Sequence, residues 1–185
     1  MKTVPILLAV LNALNACCQP AQIVLLRHAE KPDDPAAIHL SPRGEQRARA
    51  LVTLLGKGST LTSNAPIAAL YATRTTKHDH SQRTSETLAP LAKESGLSVQ
   101  LLYETKFYSL LAGDILANAA YRGKTVVVCW THHNIADLAA NLGVKPKPAR
   151  WKDRTFDRLW VIKLGNSSAH LNDVPQHLLS GDSKH

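Results

Sequence analysis

Five short apolar runs punctuate the chain: QIVLL (22–26), ALYAT (69–73), SVQLLY (98–103), TVVVCW (125–130) and LWVIKL (159–164). Their length and their β-forming residues predict strands, and their nearly unbroken apolar character predicts burial on both faces. Between them, apolar positions recur at helical spacing. Ala48, Leu51, Leu54 and Leu55 share one face, as do Leu88, Leu91 and Ala92. The same holds for Ala112, Ile115, Leu116 and Ala119, and for Ile135, Leu138, Ala139 and Leu142. Ser41-Pro42 predicts the start of the first helix, a hydroxyl cap followed by proline in the first turn. Strands alternating with helices in this way predict a three-layer α/β domain, its central sheet largely parallel and covered by helices on both faces.

At 185 residues, 44% apolar and 19% charged, the chain suits one globular domain with a real core. The formal charge of +8 favours anionic ligands. Aromatics are few and are not interleaved with basic residues, so no nucleic-acid groove is expected. GKGST (56–60) lacks the upstream glycine of a phosphate loop and does not support nucleotide binding.

The amino terminus stands apart. One lysine precedes an apolar run, Val4 to Leu14, that is too short to span a bilayer and reads as a secretory signal. Its end, Leu14-Asn15-Ala16-Cys17, resembles the bacterial lipobox, in which the cysteine is lipidated; a cleaved signal without a lipid is the other reading. Residues 1–20 are therefore expected to be a leader, with Cys17 the lipidation site, and 21–185 the functional domain. The expected location is the bacterial periplasm or cell envelope, with the membrane engaged through a lipid anchor. Cys129 is then the one remaining thiol of the domain, and no disulfide is expected.

Candidate chemistry gathers at strand ends, where open α/β sheets bind ligands. Arg27 and His28 follow the first strand, His132 and His133 follow the fourth, and Arg83 lies near the start of a helix. Two arginines can grip a phosphoryl group through planar, bidentate hydrogen bonds. A neutral imidazole can attack phosphorus and form a phosphohistidine that water later hydrolyses. Neighbouring arginines would keep His28 unprotonated, and His132 could donate to the equatorial oxygens in the transition state. Such a site needs neither metal nor cofactor, and its partner is a small phosphorylated substrate.

LLRHAEKP, LSPRGEQRARAL, RTSETLAPLA and VVVCWTHHNIADLAANLG, in that order, resemble the signature of the histidine phosphatase superfamily, whose fold is called phosphoglycerate-mutase-like. WKDRTFDRLWVIKL and PQHLLSGDS resemble a small-phosphatase branch of it. The resemblance runs from about residue 22 onward. It implies His28 as the phosphorylated nucleophile, with Arg27, Arg83 and His132 completing the phosphate pocket, and it implies hydrolysis of phosphate monoesters. Thr131 stands where the superfamily usually has glycine, and TRTTKHDHSQ (73–82) looks like an insertion. The acidic segment of phosphoglycerate mutases, ending in tryptophan–glutamate–glycine, is missing, which argues against a phosphomutase.

The resemblance also places a proton donor near Glu104, just after the third strand; Asp114 and Asp137 are weaker candidates, and Glu30 is expected to order its own loop. An exposed strand-end carboxylate is the alternative for Glu104. Two other functions stay open: a binding module that holds phosphorylated ligands without turnover, and a metal-dependent hydrolase using His78, Asp79 and His80. A cysteine phosphatase is disfavoured, because no arginine follows Cys129 at phosphate-loop spacing.

Overall fold

The computed structural model describes residues 19–165 and 168–183; residues 1–18 of the expected leader, Cys17 among them, lie outside the described residues. Six strands form one sheet: β1 (Gln22–Arg27), β2 (Ile67–Ala72), β3 (Val99–Gln100), β4 (Thr125–Trp130), β5 (Arg158–Leu164) and β6 (Ala169–Pro175). Their order is β3-β2-β4-β1-β5-β6. The first four run parallel, with Arg27 level with Trp130 at the end of β1 and β4. β5 lies antiparallel to β1, and β6 antiparallel to β5.

Helices α1 (Pro42–Leu55) and α2 (Arg83–Ser95) cover one face; α3 (Tyr108–Ala117) and α4 (Ile135–Asn141) cover the other. Alternation along the strands divides the core between them. Val24, Leu26, Val127 and Cys129 meet Leu51, Leu55, Leu88 and Leu91, while Ile23, Leu25, Val126 and Val128 meet Leu111, Ile115, Ile135 and Leu138. All eight of these helix side chains are fully buried, each worth about 1.5–3 kcal/mol relative to exposure. Ser41 caps α1 as expected: its hydroxyl accepts from the Gly44 amide at 3.1 Å, with proline in the first turn. Among the described residues, no helix is long and apolar enough to cross a membrane.

Three elements depart from the pattern-based reading. The third strand shrinks from 98–103 to two residues, because Leu101 and Leu102 turn outward and are 40% and 57% exposed. The third helix ends at Ala117, leaving Ala119 in a short 3-10 turn. β6 has no continuous apolar run, since it is an edge strand in which His170, Asn172 and Asp173 interrupt Ala169, Leu171 and Val174. The antiparallel course of β5 has the largest consequence. The chain leaves the site edge of the sheet through α4, and residues 142–157 climb back before β5 descends beside β1. That return delivers Arg150–Phe156 to the carboxyl end of β1, and the rise of β6 brings residues 176–183 to the same edge.

Candidate active site

The site starts where β1 stops. Arg27 and His28 are 3% and 5% exposed. The Ala29 amide donates to Thr87 Oγ1 at 2.9 Å, and Thr87 in turn donates to the Arg83 carbonyl at 2.6 Å, tying the loop to the first turn of α2. The His28 ring lies 2.7 Å from the Ala29 carbonyl through Nδ1. A carbonyl only accepts, so Nδ1 carries the proton and Nε2 keeps its lone pair. Burial lowers the His28 pKa to about 3; the bond to Ala29 opposes this, and the charges of Arg27, Arg83 and His132 add to it. The same interactions show that the four residues share one neighbourhood, although β1, α2 and the β4 end supply them from distant parts of the sequence.

Arg27 is held from the side that faces the 150–156 loop. Its NH1 donates to the carbonyls of Lys152, at 3.4 Å, and of Asp153, and its guanidinium carbon sits 4.2 Å over the Phe156 ring. Burial lowers its pKa to about 10, with Asp153 opposing and Arg83 reinforcing the shift. Arg83 donates through NH1 to the Ala37 carbonyl at 2.5 Å; its pKa is lowered by burial, which Asp79 and Glu86 oppose. In both arginines the Nε–H is buried without a partner among the described residues. An unpartnered buried donor is costly, and two beside one imidazole form a cradle suited to oxyanions.

His132 completes the cluster. Its Nε2 lies 3.3 Å from Asp153 Oδ1, its Nδ1 is buried and unpartnered among the described residues, and its ring meets that of His133 at a tilt of 39°, centroids 3.9 Å apart. Burial, then Arg27 and His133, lowers its pKa to about 4. His133 faces Arg150 at 3.3 Å instead of the cradle. Asp153, Phe156 and Thr87 are the working residues that sequence reasoning missed.

Behind the loop after His28 sits a charged lock. Arg47, nearly inaccessible, reaches Glu30 and Asp182 at 2.7 Å each, and Gln176 Oε1 at 3.1 Å. Asp182 also accepts from the amides of Leu178 and Leu179, so the lock joins α1, the His28 loop and the residues after β6. Gly44 is required here: a Cβ at that position would stand 2.2 Å from the Glu30 carbonyl. Glu30 thus orders its own loop, as expected.

No family model and no curated protein matches this sequence. Solved structures do match by shape. A phosphoserine phosphatase from Entamoeba histolytica, in complex with 3-phosphoglyceric acid, superposes with a TM-score of 0.58 at 14% identity, covering 85% of this chain and 99% of its own. A mycobacterial glucosyl-3-phosphoglycerate phosphatase, in complex with inorganic phosphate, gives 0.54 at 17% identity over 82% and 95%. A phosphoglycerate mutase from Bacillus anthracis gives 0.51 at 12% identity over 86% and 95%. The chain shares the α/β fold of these proteins, the one called phosphoglycerate-mutase-like. Within that fold, the expected strand-end cluster of Arg27, His28, Arg83 and His132 is assembled.

The expected proton donor fares differently. Glu104 is bound by Arg74 at 2.9 Å and Lys106 at 3.4 Å, and the bond from Arg74 is the main cause of a pKa below the ordinary carboxylate range. That is the wrong direction for a group meant to hold a proton near neutral pH. Asp114 accepts from the Tyr103 hydroxyl, and Asp137 pairs with Lys147 at 2.5 Å. Among the described residues, no three His, Cys, Asp or Glu side chains converge to hold a metal, so His78, Asp79 and His80 do not form the site considered for a metal hydrolase. Cys129 is fully buried, and burial pushes its thiol pKa up.

Proposed function

We propose that the chain is a phosphatase that hydrolyses phosphate esters through a phosphohistidine on His28, without a metal ion. One observation carries this reading: a buried imidazole with a free Nε2 lone pair stands beside two arginines whose Nε–H donors have no partner among the described residues. In the proposed reaction, His28 Nε2 attacks phosphorus while Arg27, Arg83 and the His132 ring take the equatorial oxygens. The Ala29 carbonyl, 2.7 Å from Nδ1, stabilises the positive charge that the ring acquires when Nε2 is phosphorylated. Water then cleaves the P–N bond.

The test is to quench the enzyme during turnover of 4-nitrophenyl phosphate in the presence of chelator. Acid-labile phosphate on the wild type, and its loss with turnover in His28→Ala, are the expected results. Unchanged hydrolysis by His28→Ala would refute the reading. We also propose, from the sequence alone, that the leader directs export and that Cys17 is lipidated; incorporation of a labelled fatty acid that disappears in Cys17→Ser is expected.

A further inference from the structure

The carboxylates around the cradle have one thing in common. Those whose charge reaches Arg27, Arg83 or His132 are Glu30, Asp79, Glu86 and Asp153. Each is occupied as an acceptor. Glu30 takes Arg43 and Arg47, and Glu86 takes His39 and the Leu40 amide at 2.9 Å. Asp79 takes the Ser81 amide and the Thr105 hydroxyl, both at 3.2 Å. Asp153 takes Arg150 at 3.2 Å and stands 3.3 Å from His132. Glu104, the position a proton donor was expected to fill, is bound by two cations. An oxygen that accepts such a bond has no proton to give along it, and each of these carboxyls is tied to donors of the protein instead of being aimed at a leaving oxygen. The imidazoles offer no substitute, since burial keeps both His28 and His132 neutral, and arginine does not release protons.

We propose that this site cleaves phosphoryl groups from weakly basic leaving groups, those that depart as anions without a proton from the protein: acyl phosphates, phosphoanhydrides and esters of acidic phenols. The proposal rests on the phosphatase reading above and narrows its substrate class. As the bond between His28 Nε2 and phosphorus forms, the bond from phosphorus to the leaving oxygen breaks and its electron pair stays on that oxygen. The anion is protonated by solvent after departure. In the second step, water's oxygen bonds to phosphorus, the P–N pair returns to Nε2, and water's proton passes to solvent.

The experiment measures kcat/KM for acetyl phosphate, for phenyl phosphates of graded phenol acidity from 4-nitrophenol to phenol, and for an alkyl phosphate. This parameter covers events only up to departure of the leaving group, so slow hydrolysis of the phosphohistidine does not flatten it. A positioned general acid contributes roughly 100- to 10,000-fold. Without one, kcat/KM should fall about 100-fold or more from 4-nitrophenyl to phenyl phosphate, with acetyl phosphate at the fast end and the alkyl ester slowest. Glu104→Gln and Asp153→Asn should leave that slope unchanged. A level profile, or one that steepens in either variant, reveals a working acid and overturns the inference while the phosphohistidine still forms. If no substrate releases phosphate and no phosphohistidine appears, the phosphatase reading fails and this inference with it.

Discussion

Asp182→Asn isolates the lock between the His28 loop and the residues after β6. The Asp182 side chain is 4% exposed, and its carboxyl accepts from Arg47 and from two backbone amides. Burial alone would raise its pKa; those donors outweigh burial and lower it from 3.8 to about 2. A carboxyl that binds its proton that much less tightly when folded contributes about 2.5 kcal/mol at neutral pH. The sign follows from linkage. The folded pKa is depressed, so the contribution is full above about pH 4 and disappears as the pH falls through about 2, with roughly half left near pH 3. Urea unfolding of wild type and variant, followed by tryptophan fluorescence from pH 7 down to pH 3, measures it. The variant should be about 2.5 kcal/mol less stable at pH 7, or about 5–10 °C lower in Tm, and the gap should narrow toward pH 3. A gap under about 0.5 kcal/mol at pH 7, or one that does not change with pH, would refute the reasoning.

The two buried imidazoles supply a second check. With pKa values lowered to about 3 and about 4, His28 and His132 should keep neutral ring resonances from pH 8 to pH 5, assigned through His28→Ala and His132→Ala; a midpoint near 6.5 for either would contradict the burial described here. Because both pKa values are depressed on folding, the unfolded chain takes up protons first, and stability should fall as the pH drops below about 6.5. Phe156→Ala removes the ring beneath the Arg27 guanidinium. Loss of about 0.5–2 kcal/mol of cation–π support should weaken inhibition by inorganic phosphate about 2- to 30-fold. An unchanged inhibition constant would show that the Lys152 and Asp153 carbonyls position Arg27 unaided.

The sequence made β1 and β4 legible because both lie in the middle of the sheet, where burial on two faces leaves an unmistakable apolar run. The cluster was legible for a related reason. Arg27 and His28 interrupt such a run, and Arg83 and His132 sit at the starts of periodic segments. β6 was illegible, since an edge strand facing solvent keeps its polar residues. Nothing local told β5 to run antiparallel, and that direction alone puts Asp153 and Phe156 beside Arg27. Glu104 was placed by its interval in the chain; the binding of Arg74 to it depends on the course of the 73–82 segment, which carries no period. Likewise Arg47 reads as an ordinary helix arginine until the chain's last turn supplies Asp182.

The lock also joins early and late parts of the chain. β1 is among the first described parts of the chain, yet the residues that fasten the loop behind His28, 176–182, are among the last of the described ones. A chain ending at Pro175 holds all six strands, but Arg47 then faces Glu30 without its second carboxylate. The sheet therefore does not need residues 176–182, and a protein clipped just beyond β6 would keep its strands while Arg47 loses Gln176 and Asp182 as partners behind the His28 loop.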